Sequence, residues 1–411
     1  MDWITAYLEM MQETEPPPEF NRWCAVAGIG HVLGRKVWLD QYLFKVYPGQ
    51  VMVLLCSDSA VARKTIAMRN VERLIATLPE ECWNTIPQRV SGATILDALN
   101  RIDDAGDPLD AVGLVFAEEL GTFFSREQGR QDIPTLVTEL NDAKEGPWRA
   151  PTRTYGDVVL WNPCVGMVAG VTRTGLAREV PQIVRRTGFL GRTIVVDSDG
   201  SGHPNSLTEP PRKFDRLRAL LIKDLYRIAS LQGPMVWSAE GKEWYDEWYS
   251  RHFYKVKAME HGEATGWFGR KHIHVLRTAM ILACAASSAL VYTVEVLEKA
   301  LQWLQAIEQR LPQAMREIGV NVDDQQRKDR LIAKLDVLGA KNGHGGWVDQ
   351  RRLFSYLHRG YPTLLGGYEL YRRDLHDAEH AGTVTRRVDD KGQHPEWKVA
   401  KTSGQMLRAV K

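Results

Sequence analysis

The sequence predicts an α/β core set between helical segments, with a separate helix-and-hairpin module at the carboxyl end. Three observations predict it. Between residues 49 and 200, short apolar runs alternate with helical stretches, the pattern of an α/β layer. From 206 to about 316 the apolar spacing is helical almost throughout, after the polar, Gly-rich stretch DSDGSGHPNS, which reads as a linker. Beyond about 326 the pattern changes to three helices followed by two alternating strands. These breaks divide the chain into an amino-terminal helical segment (1–48), a core (49–200), a helical lid or collar (201–318) and a terminal module (319–411).

Composition narrows the function classes. A chain of 411 residues, 44% hydrophobic and 25% charged, reads as soluble and globular with two or three domains. A net charge of +2 is too mild to announce a nucleic-acid binder by itself. The five cysteines are scattered, with no CxxC pair, which argues against structural zinc and a disulfide framework and suits a reducing cytoplasm. Asp2, Glu9 and Glu13 do not suit a signal peptide. The most apolar stretch, Thr278–Val291, is too short and alanine-rich to span a bilayer and reads as a buried helix.

Taken in order, residues 1–48 are helical, with a break at Pro16-Pro17-Pro18 and an apolar helix over Phe20–Leu33. The first core strand is Val51–Leu55. It leads into VLLCSDSAVARKTI (53–66): strand, small polar loop, then Lys64-Thr65 opening a helix. These are the parts of a phosphate-binding loop. There, backbone amides and a helix amino terminus cradle phosphate, the lysine neutralises it, and the hydroxyl ligates Mg²⁺. Ser57, Ser59, Ala60, Ala62 and Arg63 would supply the loop, with Lys64 and Thr65. The strict pattern wants Gly where Asp58 and Arg63 stand, so an ordinary strand-to-helix turn is the alternative.

The next strand, Gly113–Phe116 in AVGLVFAEEL, ends in Glu118-Glu119, about fifty residues on, past a helical segment Ser91–Ile102. An ATPase needs a carboxylate at the tip of the strand beside the loop; Glu118 suits the metal and Glu119 the attacking water. A solvated helix cap is the alternative. Strand Val165–Val171 ends at Thr172, a candidate polar sensor, before a helix capped near Thr174. Just upstream, a hairpin carries Arg149, Arg153 and Tyr155, residue types that suit a nucleic-acid backbone and its bases. In RRTGFLGRTIVV, before strand Thr193–Val196, Arg192 stands where a ring ATPase presents an arginine to its neighbour's nucleotide, with Arg185 and Arg186 as alternatives.

In that order these features resemble the AAA+-type ring helicases, especially the superfamily 3 layout of viruses and mobile elements. More narrowly, EPPPEFNRWCAVAGIGHVLGRKVWL, YPGQVMVLL, SDSAVARKT, VFAEEL, NPCVGMVAGVT, GFLGR and RKHIHVLRTAMILA are similar to a family of phage and prophage P-loop proteins, over about residues 15–305. The resemblance implies an ATP- and Mg²⁺-dependent DNA helicase or replication initiator. It would be a homo-oligomeric, hexameric ring in the cytoplasm of a bacterial host, with Lys64 and Thr65 keeping their roles. The other function class is a DNA-binding adaptor, non-catalytic or switched by ATP, such as a helicase loader or a partition- or defence-associated protein.

In the helical region, Arg270 or Arg277 offers a second sensor over the nucleotide, and the aromatics of KEWYDEWYSRHFYKVK read as core. His272 and His274 have no acidic partner at metal-ligand spacing. The terminal module has the winged-helix outline, and from 320 to 411 it carries 17 Lys and Arg against 12 Asp and Glu. Arg372 and Arg373, beside Tyr368 and Tyr371, fall on the recognition-helix candidate, with Arg386, Arg387 and Lys391 on the wing; DNA phosphate contact is their natural use. A protein-docking module is the alternative.

Overall fold

The computed structural model describes residues 1–58, 61–124, 133–142, 145–152, 156–179, 188–200, 202–204, 210–211, 213–258, 263–310, 322–341, 346–360, 368–380, 382–388 and 395–400. The chain forms two compact units, Met1–Gly319 and Val320–Lys411. In the first, the amino-terminal helices, the sheet and the helical region share one hydrophobic core, which runs from Trp3 to Ile307.

Helix α1 spans Trp3–Met11, its Asp2 side chain accepting from the Thr5 amide, and α2 spans Pro18–Leu33. The proline break ends at Pro17. Pro18 is the first helical residue, a place where its missing N–H costs nothing. A small hairpin of β1 (Val37–Asp40) and β2 (Lys45–Val46) then leads to the sheet. Its strands are β3 (Met52–Cys56), β4 (Thr85–Pro87), β5 (Asp110–Ala117), β6 (Pro147–Thr152), β7 (Gly156–Val171) and β8 (Thr193–Asp197). Helices α3 (Lys64–Ile75), α4 (Gly92–Leu99), α5 (Leu120–Phe123), α6 (Ile133–Asn141) and α7 (Arg173–Glu179) connect them.

The sheet order is β4-β5-β7-β3-β8, and these five strands are mutually parallel. Strands β3 and β8 are buried along their whole lengths, which is why MVLLC and TIVVD read as continuous apolar runs. One expectation needs correction. The strand ending in Glu118 is not beside the loop strand, because β7 lies between β5 and β3. Strand β7 is also far longer than Val165–Val171. Its first residues pair antiparallel with β6, from Thr152↔Gly156 to Pro147↔Trp161, and its last pair parallel with β3 and β5. Asn162 marks the change with φ 48°, its side chain accepting from the Gly146 amide and donating to Asp110. Asn-Pro in the sequence hides this continuity.

The apolar helix proves to be Glu263–Ala286, buried from Val275 through Ala285 as expected, but Val291 belongs to a short strand, Val291–Tyr292. The supposed linker begins inside the core: Asp197 closes β8, and Ser198 is fully buried.

The second unit contains helices Val322–Lys341, Gln350–Gly360 and Tyr368–His380, and an antiparallel sheet of Val348–Asp349, Glu396–Val399 and Val384–Arg387. The third, short strand ahead of the second helix adds to the three-helix-and-hairpin outline. Tyr371, Trp397 and six leucines build its own core.

Candidate functional site

The carboxyl ends of the parallel strands bring the predicted residues together. After β3, Ser57 is buried, and its amide approaches the Val171 carbonyl at 3.4 Å. Ser59 and Ala60 lie outside the described residues. The chain continues through buried Ala62 to Arg63, whose backbone is left-handed at φ 48°, ψ 41°. Glycine adopts that conformation freely, whereas a residue with a side chain gives up about 1 kcal/mol. The loop thus keeps the backbone shape of the missing glycine with an arginine in its place. Arg63 Nε meets Glu15 at 2.7 Å.

Helix α3 opens at Lys64, and no side chain caps its first turn. Its uncapped N–H groups and the positive end of its dipole form an anion-receptive end. Lys64 folds back over the loop. Its Nζ donates to Ser57 O at 3.0 Å and to Ser57 Oγ at 2.8 Å, with Asp58 O at 3.5 Å. Burial lowers its pKa from the ordinary lysine value. Thr65 follows on the same turn, half-buried.

Gly170, on the intervening strand, leaves room for the Glu118 backbone and the Lys64 stem. A Cβ at Gly170 would run into the Glu118 carbonyl oxygen and lie 3.6 Å from Lys64 Cδ. The Glu118 carboxylate receives Arg69, from the second turn of α3, at 2.6 Å. Glu119 is exposed; its amide donates to Gln88 Oε1 at 3.1 Å, and Thr122 Oγ1 reaches its carboxylate at 3.3 Å. Arg69, Glu72, Gln88, Phe116 and Glu118 border a cleft of about 210 Å³ between α3 and strands β4 and β5. Burial raises the Glu72 pKa.

Arg173 is the residue the sequence reading missed. It binds Asp197 with Nε at 2.9 Å and a terminal nitrogen at 3.0 Å, Asp199 at 2.6 Å and Asp58 at 3.1 Å. One guanidinium therefore ties the ends of β7 and β8 to the loop after β3, and bonding to Asp197 raises its pKa. Arg173, bonding first and Arg310 further, lowers the pKa of Asp199. The available signal was TIVVDSD, an acidic strand end like that of FAEE. Thr172 caps α7, its Oγ1 accepting from the Gly175 amide at 2.8 Å, so the cap is Thr172 rather than Thr174.

Two predicted arginines are placed at the other end of the sheet. Arg192 precedes β8, whose first residue pairs with Met52 at the start of β3. Its guanidinium makes two 2.8 Å bonds to Asp142 and one to Gly188 O. Arg277, expected above the nucleotide, is buried beneath the amino end of β3, bonded to Gln50 Oε1 at 2.6 Å and Gln50 O at 3.3 Å. A five-residue strand separates it from the loop by about 16 Å. Burial lowers the Arg277 pKa to about 10. Arg270 lies 4.0 Å from Asp142, beside Arg192. Arg185 and Arg186 lie outside the described residues.

Of the nucleic-acid candidates, Arg149 is exposed on β6, in a β6–β7 hairpin of the expected form; Arg153 and Tyr155 lie outside the described residues. In the second unit, Arg372 and Arg373 are exposed, whereas Tyr371 is buried with its hydroxyl on Gln350 O. Arg387 pairs with Glu396 and stacks over Trp347, and Arg386 lies over Trp397. Lys391 lies outside the described residues. No described helix is long and apolar enough to cross a membrane, and the described residues hold no group of three metal-ligating His, Cys, Asp or Glu side chains. The chain matches no protein-family model, and no significantly similar relative emerges among curated proteins.

Proposed function

We propose that the first unit is a nucleoside-triphosphate-binding ATPase of the P-loop type that works on DNA. The observation that carries this reading is the placing of Lys64 and the Glu118 backbone against Gly170, at the carboxyl ends of parallel strands, beside an uncapped helix amino terminus. Open parallel sheets bind ligands at that end. ATP is the expected substrate. The α3 amides and Lys64 would receive its phosphates, and Lys64 is already turned toward the loop that would cradle them. Mg²⁺ would be held by Thr65 and Glu118, shielding phosphate charge; a magnesium site of that kind takes its remaining ligands from phosphate and water. Glu119, exposed at the β5 tip, is the group available to polarise water. DNA would engage the β6–β7 hairpin and a winged helix in the second unit. A hexameric helicase or replication initiator in the cytoplasm is the fullest form of this reading.

A fluorescent ATP analogue titrated against the full chain tests it. Lys64→Ala is expected to weaken binding at least a hundredfold with an unchanged melting temperature, while Glu119→Gln binds but does not turn over. Equal affinity in the wild type and Lys64→Ala would overturn the assignment.

The adaptor reading is favoured by a specific observation: the catalytic candidates already have partners. Glu118 is held by Arg69, and Arg192 by Asp142 at the far end of the sheet, so delivery of Arg192 to a neighbouring copy requires that pair to open. DNA-stimulated ATP turnover separates the two readings, being present in a motor and absent in a switch.

A further inference from the structure

Helix Ala239–Lys257 carries the stretch KEWYDEWYSRHFYKVK, whose aromatic spacing predicts a core stripe. The structure divides that stripe in two. Of the whole helix only Gly241 and Tyr245 are buried. Trp244, Trp248 and His252 stack along one half-buried row, ring planes within 6° and centroids 6.3 and 5.1 Å apart. Phe253 and Tyr254, at the end of the series, are 50% and 69% exposed, with centroids 5.6 Å apart.

Charge divides at the same point. Glu240, Glu243, Asp246 and Glu247 all fall in the first half, whereas from Trp248 to Ala258 the charges are Arg251, Lys255 and Lys257. At spacings of three and four residues, Phe253, Lys257, Tyr254 and Arg251 follow one another around the helix, with Lys255 one turn after Arg251. Arg251 reaches Glu247 at 3.5 Å, an exposed pair of little strength. Lysines in a last turn also suit the helix dipole, but the dipole gives no reason for two large aromatic rings to stand in water beside them.

We propose that this half-helix is a contact for single-stranded nucleic acid, with bases stacking on Phe253 and Tyr254 and phosphates meeting Arg251, Lys255 and Lys257. Exposed rings interleaved with cations, free of acids over eleven residues, suit a strand whose bases are unpaired; a duplex hides its base faces. The contact is separate from the triphosphate site and needs no hydrolysis.

The test uses the full chain, without nucleotide, and the anisotropy of a labelled thymidine oligonucleotide over a range of salt. Phe253→Ala/Tyr254→Ala is expected to weaken binding about tenfold or more, as stacking on one or two rings implies, and to leave the salt slope unchanged. Arg251→Ala/Lys255→Ala/Lys257→Ala should reduce that slope by about two, the value for three released counterions on a single strand. All five residues are exposed, so both variants should melt with the wild type. Photocrosslinking with 4-thiothymidine should map to Phe253 or Tyr254. Wild-type affinity in both variants, or crosslinks confined to residues 320–411, would overturn the proposal and leave this face to a protein partner.

Discussion

At the amino ends of β3 and β8, Arg277 and Arg192 are each about nine-tenths buried and bonded within the chain, to Gln50 and Asp142. At the carboxyl ends of the same strands, Arg173 meets Asp58 and Asp199, whose side chains are 63% and 65% exposed, and Lys64 rests on loop oxygens. Residue types are alike at the two edges. The sharpest difference lies between Arg277, whose partner Gln50 is buried, and Arg173, two of whose three acids are exposed. Asp197, the third, is buried, and Asp142 beside Arg192 is 40% exposed. An exposed carboxylate holds its cation weakly, so an incoming phosphate can displace it at small cost. A buried, hydrogen-bonded cation has no such exchange open to it, because removing its partner strands a charge. Arg277 is fixed where it stands, whereas at the carboxyl edge the bonds to Asp58 and Asp199 are the ones open to exchange.

Four experiments set the edges against each other. Gln50→Ala should cost about 3 kcal/mol in urea unfolding, because it leaves the Arg277 guanidinium without its side-chain acceptor in the core and frees the Asn141 carbonyl as well. Its ATP affinity, measured where the protein is folded, should stay within twofold. A stable Gln50→Ala would remove the distinction between the edges. Gly170→Val should cost about 2 kcal/mol by overpacking against the Glu118 carbonyl, and it should also reduce nucleotide affinity by moving Lys64.

Acidification offers a third contrast. His274, bonded to Gly191 O beside Arg192, is held neutral by burial, its pKa lowered to about 3. The unfolded chain takes up that proton first, near 6.5. The stabilisation is therefore complete above pH 6.5 and declines as pH falls toward 3, by up to about 1.4 kcal/mol per pH unit for one such group. His31, lowered to about 3, and His272, lowered to about 4, act in the same direction. Asp199 at the other edge has a lowered pKa, so its contribution is constant above the ordinary carboxylate value and is lost only as pH falls below it. Urea midpoints should thus fall between pH 6.5 and 5, and His274→Gln should flatten the fall. Least in size, Arg63→Gly should stabilise the chain by about 1 kcal/mol or less, relief of left-handed strain exceeding the loss of an exposed pair with Glu15. Destabilisation would mean that Arg63 does more than occupy the turn.

Much of the carboxyl edge was legible because strand ends write themselves in sequence. An apolar run that stops at Ser-Asp, Glu-Glu or Thr-Arg names its tip directly. Strand order was not legible, since nothing local in VLLC or GLVFA says that β7 lies between them. Arg277 misled for a related reason: it was placed over the nucleotide by its rank in the chain, whereas its bonds to Gln50 set it at the amino edge. Arg173 went unnoticed because its role depends on three acids from two other segments, a convergence visible only in space. The aromatic helix showed the limit of periodicity, which marks a face without saying what covers it.

Strand β7 has one more consequence, a mechanical one. Its sixteen residues run from the hairpin carrying Arg149 to Val171, immediately before Thr172 and Arg173, as two extended arms joined at the left-handed Asn162. At about 3.3 Å per residue the arms are about 20 and 30 Å long, and extended backbone has almost no slack to take up. A pull along the hairpin is carried down the arms to the residues that clasp Asp58 and Asp197, with Asn162 the point where they can bend.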